Sequence, residues 1–162
     1  MLTKTGVPTV EQVLSKFPKR TVLMKPKAII ECYEDIPCNP CETSCPFNAI
    51  HIGENINQIP EIDFDTCTGC ALCVPSCPGL AVVIAQIKGD RAWFKIPYEF
   101  LPKPKKGEIW PGLNRHGVTI CDALIEGVME SPKNDHTSLV TVSVPESALY
   151  DFITIQVKDH EK

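Results

Sequence analysis

Eight of the chain's nine cysteines lie between Cys32 and Cys77, in two groups: Cys32, Cys38, Cys41 and Cys45, then Cys67, Cys70, Cys73 and Cys77. Each group closes on a proline, Pro46 or Pro78, and the last three cysteines of each align at an offset of 32 residues. Thiols at such spacing can pair as disulfides or ligate a soft metal as thiolates. Compartment decides between the two. The polar start MLTKTGVPTVEQ has no signal-peptide core, and no apolar run approaches the roughly 20 residues that a membrane helix needs. A cytoplasmic location without a membrane span is therefore expected. In that reducing setting metal ligation takes precedence, and the odd ninth residue, Cys121, agrees. A net charge of -4 and an isoelectric point near 5.6 offer no basic footprint for nucleic acid.

The second group reads C-x2-C-x2-C-x3-C-P and resembles the run found in bacterial two-cluster ferredoxins. Three thiolates, each two residues from the next on a looping backbone, can point to three corners of one cluster while the intervening amides face its sulfides. The fourth cysteine, followed by a chain-turning proline, points to the other cluster. The resemblance implies one 4Fe-4S cluster on Cys67, Cys70, Cys73 and Cys45 and a second on Cys32, Cys38, Cys41 and Cys77. Two four-thiolate zinc sites are the competing reading, weakened because structural zinc usually joins C-x2-C arms over a longer separation. A disulfide framework would require both copies to match the run by accident.

Cys32 departs from the pattern, because five residues separate it from Cys38 where two are usual. The spacing reads as a three-residue insertion stiffened by Pro37, with everything after Cys38 still in register. Without Cys32 the first site holds only Cys38, Cys41 and Cys77, and a three-iron cluster or an oxygen ligand becomes the alternative. Charge sets the cysteine region apart as well. Between Ala28 and Ile87 there are eight acids and no lysine or arginine, so all 16 basic residues lie in the flanks. Nearby negative charge disfavours adding an electron, which predicts low-potential clusters; the bland reading is that screened surface acids aid solubility.

These cysteines need elements to hold them. Ala49, Ile50 and Ile52 align with Ala81, Val82 and Ile84, so each copy ends in a short β-prone run, and matching Ile29 with Phe64 across the insertion predicts a strand leading into each loop. The copies read as strand, cysteine loop with a helical turn, strand. Ahead of them, Thr9 and Gln12 form a capping box for a helix with Val10, Val13, Leu14 and Phe17 on one face, which either packs on this chain or docks on another subunit. After them, AVVIAQIKGDRAWFKIP predicts a hairpin turning at Gly89-Asp90. Strands follow at Val118-Asp122, Leu124-Glu130, Ser138-Val144 and Ile153-Val157, with GLNRHG as a turn and PESALYDF as a helical insert. The expected fold class is α+β. A pseudo-symmetric two-cluster module at 26-87 follows an arm at 1-25 and precedes a small antiparallel β-barrel or sandwich at 88-162. The lysines of PKPKKGE read as an exposed loop, His51, His116, His136 and His160 as surface or packing residues, and Cys121 as a small buried hydrophobe.

Beyond the cysteine core, the segments GVPTVEQVL, IIECYEDIPCNPCETSCPFNAI, CTGCALCVPSCPGLAVV and CDALIEGVMESPKNDHTSLVTVSVPESA resemble the iron-sulfur subunits that accompany FAD-dependent amine or amino-acid dehydrogenases in anaerobes. That resemblance implies an electron-transfer subunit with no catalytic residues of its own. It would relay electrons one at a time between flavin-containing dehydrogenase subunits, carrying FAD or FMN, and an acceptor. The competing reading is a free, diffusible low-potential ferredoxin with an accessory β domain. No nucleophile-base pair, phosphate loop or flavin fingerprint occurs in the sequence.

Overall fold

The computed structural model describes residues 2–134 and 136–157. After a short turn of helix, α1 (Leu2–Thr5), the expected capping box opens α2 (Val10–Lys16): the Gln12 N–H donates to Thr9 Oγ1 at 3.2 Å and the Thr9 N–H to Gln12 Oε1 at 2.8 Å. The apolar face of α2 is split. Val13 is buried and Phe17 meets Tyr150 edge-on at 5.1 Å, whereas Val10 and Leu14 are exposed.

The cysteine region comprises β1 (Lys27–Ile30), α3 (Pro40–Ser44), β2 (Ile50–His51), β3 (Glu61–Ile62), α4 (Cys73–Ser76) and β4 (Val82–Lys88). Each copy is a strand, a cysteine loop with one helical turn, and a strand, as expected. The copies exchange partners, β1 pairing with β4 and β2 with β3, all antiparallel. Register corrects the sequence alignment. Ile30 lies opposite Val82 and Ile62 opposite Ile50, so Ile62 is the counterpart of Ile30 at the same 32-residue offset. Phe64, the expected counterpart of Ile29, sits in a turn, where Asp63 caps the chain: the Thr66 hydroxyl donates to Asp63 Oδ2 at 2.6 Å and the Asp65 N–H to Oδ1 at 3.0 Å. The first loop therefore holds no insertion. Ile30 to Cys38 and Ile62 to Cys70 are each eight residues, and Cys32 has moved three residues toward its strand within a loop of unchanged length.

Five further strands, β5 (Arg91–Tyr98), β6 (Ile109–Leu113), β7 (Thr119–Met129), β8 (Ser138–Pro145) and β9 (Thr154–Ile155), join β1 and β4 in one sheet of order β1-β4-β5-β8-β7-β6-β9. The β4-β5 hairpin turns at Gly89-Asp90 as expected, with Gly89 at φ +66°, a conformation open to glycine. The division placed after residue 87 falls within β4, and the sheet runs on across it. Two expected strands, Val118-Asp122 and Leu124-Glu130, are one strand, β7, bulged between Ile125 and Gly127. β6 was unforeseen because Pro111 and Gly112 are poor strand residues. Glycine is required there, since a Cβ on Gly112 would stand 2.7 Å from Cys121 Sγ. The helical insert is a single 3-10 turn, Glu146–Ala148.

The sheet curls without closing into the expected barrel. β8 and β7 lie between β5 and β6, a flat separation of about 14 Å at the usual strand spacing. Yet Tyr98 of β5 meets Trp110 of β6 with ring centroids 6.1 Å apart. The two ends of the sheet are tied by side chains: Arg115, in the β6-β7 turn, donates Nε to both carboxylate oxygens of Glu31, just after β1, at 3.0 and 3.1 Å. Arg115 Nη1 also donates to the Tyr150 carbonyl at 2.7 Å.

Strand parity explains why β1 is apolar on both faces. Ile29, Val83, Ala85 and Ile87 point into the curled sheet with Phe94, Trp110 and Phe152, while Ala28, Ile30, Val82 and Ile84 point the other way, toward the cysteine loops. One pair of strands thus serves two cores. A buried branched side chain stabilises by about 1.5–3 kcal/mol, so the cysteine loops are fastened to a strand pair held by burial on both faces.

Candidate metal centres

The two cysteine loops enclose two cavities. Cys32, Cys38, Cys41 and Cys77 line one, with Ile36, Pro60 and Ala81. Cys45, Cys67, Cys70 and Cys73 line the other, with Thr68, Ala28 and Ala49. These are the two four-cysteine sets that the ferredoxin-like spacing implied. The walls repeat at 32 residues, Ala49 answering Ala81 and Ala28 answering Pro60.

Local backbone delivers the crossing cysteines. After α3, Cys45 ends the helical turn in extended conformation, and after α4 Cys77 does the same. Asn48 and Leu80 then take left-handed φ values of +52° and +53°, which turn the chain back so that Ala49 donates its N–H to Cys45 Sγ at 3.4 Å and Ala81 donates to Cys77 Sγ at 3.3 Å. Two loops of different sequence adopt one geometry here. A third amide, from Ala28, reaches Cys67 Sγ at 3.4 Å.

Burial governs the thiols. It pushes the Cys73 thiol up to about 12, with the neighbouring charges of Cys67, Cys70 and Cys45 adding to the rise. It pushes Cys41 up to about 11, with Cys77 and Cys38 adding. Cys32 is raised by burial too, and by Cys77 and Cys38. Cys73, Cys41 and Cys32 are thus each raised by neighbours of their own four-cysteine set. Thiols so placed ionise only when a soft cation replaces the proton, and the sulfur donor set favours iron-sulfur or zinc chemistry over harder metals.

One zinc ion holds sulfurs at bonds of about 2.3 Å, hence about 3.8 Å from one another. Among the described residues, no three His, Cys, Asp or Glu side chains stand close enough to share one ion. Four thiols around each cavity wall, with amides directed at three of the sulfurs, are the kind of donor set that holds an iron-sulfur cluster.

Most acids of this region are exposed, and the two half-buried ones have fixed partners: Glu31 is paired with Arg115 and Glu42 accepts the Ile52 N–H at 3.1 Å. Exposed Asp63 shapes its turn, its carboxyl held below the usual range mainly by the Thr66 hydroxyl. Lys27 was missed in the sequence, since it lies one residue before the stretch that lacks bases. The fold buries it, and its ammonium donates to the carbonyls of Phe64 at 2.5 Å and Cys67 at 2.7 Å. Gly69 was also overlooked. At φ +71° its position faces Pro26, whose carbonyl oxygen would stand 2.5 Å from any Cβ. His51, His116 and His136 are exposed, and His160 lies outside the described residues. Cys121 is partly buried against the sheet core, away from both cavities.

Residues 36–81 match the 4Fe-4S dicluster domain family, a span that takes in seven of the eight cysteines and leaves out Cys32. The ferredoxin-type protein NapF of Haemophilus influenzae is 36% identical over 55 residues, 33% of this chain and 31% of that protein. A selenate reductase subunit of Mesobacillus selenatarsenatis is 32% identical over 71 residues, 44% of this chain and 22% of its own. Pyruvate synthase subunit PorD of Methanocaldococcus jannaschii is 36% identical over 56 residues, 35% of this chain and 63% of its own. The chain thus spans less than a third of the first two relatives and under two thirds of the third. No solved structure shows significant similarity to it. The cysteine region is a ferredoxin-type 4Fe-4S dicluster domain set on one edge of a larger sheet. Among the described residues no helix is long and apolar enough to cross a membrane.

Proposed function

We propose that this chain is an electron-transfer subunit holding two 4Fe-4S clusters, one on Cys32, Cys38, Cys41 and Cys77 and one on Cys67, Cys70, Cys73 and Cys45. The observation that carries the reading is the pair of four-cysteine cavities, each drawing three thiols from one loop and one from the other. Such clusters supply one-electron redox chemistry at potentials set by charge, hydrogen bonds to sulfur and solvent exposure. The chain's own residues do the rest. Ala28, Ala49 and Ala81 direct amides at sulfur, the apolar faces of β1 and β4 exclude water behind the sites, and Cys70 is exposed at the rim of its cavity.

We place it as the iron-sulfur subunit of a cytoplasmic oxidoreductase complex, relaying electrons between a flavin-containing dehydrogenase subunit, with FAD or FMN, and an acceptor. Two of the relatives above carry names of subunits of larger reductase or synthase assemblies, which supports a fixed subunit over a free carrier. An open groove beside Cys32, between Leu2 and Pro8 of the N-terminal arm, Tyr33 and the β6-β7 turn at Asn114, gives a partner access to the first site. The acids of the cysteine region point to low potentials. Anaerobic purification of the native protein tests the whole reading. Eight irons and eight sulfides per chain, reversible reduction, and stoichiometric flavin on copurifying subunits are expected. Zinc in place of iron would overturn the cofactor assignment, and recovery of the chain alone without flavin absorbance would overturn the partner.

A further inference from the structure

The pseudo-twofold relation between the cavities gives each wall position a counterpart 32 residues away, and at two adjacent positions the counterparts differ in electrostatics. Beside the second cavity, the buried Lys27 ammonium donates to two neutral carbonyls, those of Phe64 and Cys67, and among the described residues no carboxylate is paired with it. The next residue, Ala28, donates its N–H to Cys67 Sγ. Beside the first cavity the corresponding residues are Ile59 and Pro60. Ile59 has no charge, and Pro60, which lines that cavity, has no N–H to give.

Other charges do not restore the balance. Arg115 is committed to Glu31 in a nearly buried pair whose charges cancel. Lys16, half-buried over the Tyr33 ring at 5.3 Å, draws the Cys32 thiol down, but by less than burial and the Cys77 charge raise it, and among the described residues it donates no hydrogen bond to the backbone of that site. Glu34 and Asp35 near the first site, and Asp63 and Asp65 near the second, are all exposed, where water and salt screen them. A buried cation and a hydrogen bond to sulfur both favour the more negative, reduced state of a cluster.

We propose that Lys27 and the Ala28 amide hold the centre on Cys45, Cys67, Cys70 and Cys73 at a higher reduction potential than the centre on Cys32, Cys38, Cys41 and Cys77. This rests on the two-cluster reading above. With both clusters bound, the first electron taken up would reside on the second centre and transfer from the first to the second would be downhill, one electron moving with no bond made or broken in the protein. Lys27 acts through the Cys67 backbone as a positioning and charge-setting residue.

The test is an anaerobic redox titration of the full chain followed by electron paramagnetic resonance, after iron and sulfide have been counted. Wild type is expected to show two separate one-electron waves, and Cys70→Ser should perturb the signal of the upper one. Lys27→Met should lower the upper wave alone. At the wild-type midpoint the ratio of reduced to oxidised centre should fall about tenfold, equivalent to about 59 mV for one electron. Lys27→Arg should keep the wave in place, which separates loss of charge from loss of packing. Pro60→Ala, which restores an N–H beside the first cavity, should raise the lower wave. With eight irons retained, coincident waves in wild type, or an equal shift of both waves in Lys27→Met, overturn the proposal. A wild-type chain with fewer than two clusters removes the cofactor reading and this inference with it.

Discussion

The two cysteine loops are equally long from strand to second cysteine, yet they hold their first cysteine at different places. In the second loop Asp63 caps a turn, the chain doubles back so that the Cys67 N–H bonds the Asp63 carbonyl at 3.0 Å, and Gly69 passes Pro26 at φ +71°. In the first, Cys32 follows β1 almost at once and Pro37 stands where the other has glycine. Asn39, with φ -142°, answers Ala71, with φ +69°. Past this point the loops converge, through α3 and α4, the left-handed residues Asn48 and Leu80, and the amides of Ala49 and Ala81. The ends of each loop are fixed by strand pairing and by the helical turn, so the cysteine between them is free to slide along it. What the sites require is a thiol at the cavity wall, and Cys32 supplies one from a different point on the backbone.

The largest effect should come from the crossing cysteines. Cys45 belongs to the first loop by sequence and to the second cavity by position, and Cys77 is its mirror. Cys45→Ala should therefore abolish the centre shared with Cys67, Cys70 and Cys73 and spare the other, while Cys77→Ala does the reverse. Resonance spectra of the two variants after reconstitution should each retain a different signal and about half the iron. If each variant lost the centre of its own loop instead, the exchange of ligands would be refuted.

A smaller loss, confined to the first centre, is expected for Cys32→Ala, which leaves three thiols and should give a three-iron or readily oxidised species by iron analysis. Asp35 occupies the position equivalent to Cys67. Adding Asp35→Cys alone should fail to rescue the variant, because Pro37 holds φ near -65° where Gly69 takes +71°. Adding Pro37→Gly as well should restore four irons. Rescue by Asp35→Cys alone would mean that the loop ignores its proline. In the other loop, Gly69→Ala combines a strained φ with a contact to Pro26 that must open, about 2–4 kcal/mol in denaturant midpoint under anaerobic conditions.

Much of this was legible in the sequence, for identifiable reasons. Which cysteines line each cavity was implied by the resemblance to the ferredoxin run, because the crossing cysteine and its proline are local signals. The capping box at Thr9 and the hairpin at Gly89-Asp90 were legible because a few adjacent residues determine them. The displaced Cys32 was misread as an insertion, since a cysteine alignment cannot see that Ile62, two residues before Phe64, carries the strand register. Strand β6 was hidden by Pro111, and the curl of the sheet by the distance in sequence between Glu31 and Arg115. Lys27 could have been found from its parity on β1, one residue before an apolar run, but its two carbonyl partners lie 37 and 40 residues away.

The convergent half of the loops allows the finest test. Asn48 is exposed at φ +52°, a conformation that asparagine tolerates and that costs most other residues roughly 1–2 kcal/mol. Its counterpart Leu80 holds φ +53° without that tolerance. Asn48→Leu should therefore destabilise by about 1 kcal/mol, since it gains no burial to offset the strain. Leu80→Asn relieves the same strain but gives up the apolar contacts of a half-buried side chain, so its net gain should be smaller, a few tenths of a kcal/mol at most. Urea midpoints of the loaded protein resolve both. Equal and negligible effects would mean that the turn after each crossing cysteine is not held left-handed, and the shared amide-to-sulfur geometry would lose its support. A loss at Asn48 with a smaller gain at Leu80 would show that the sites impose one backbone path on two sequences, one of which fits it better.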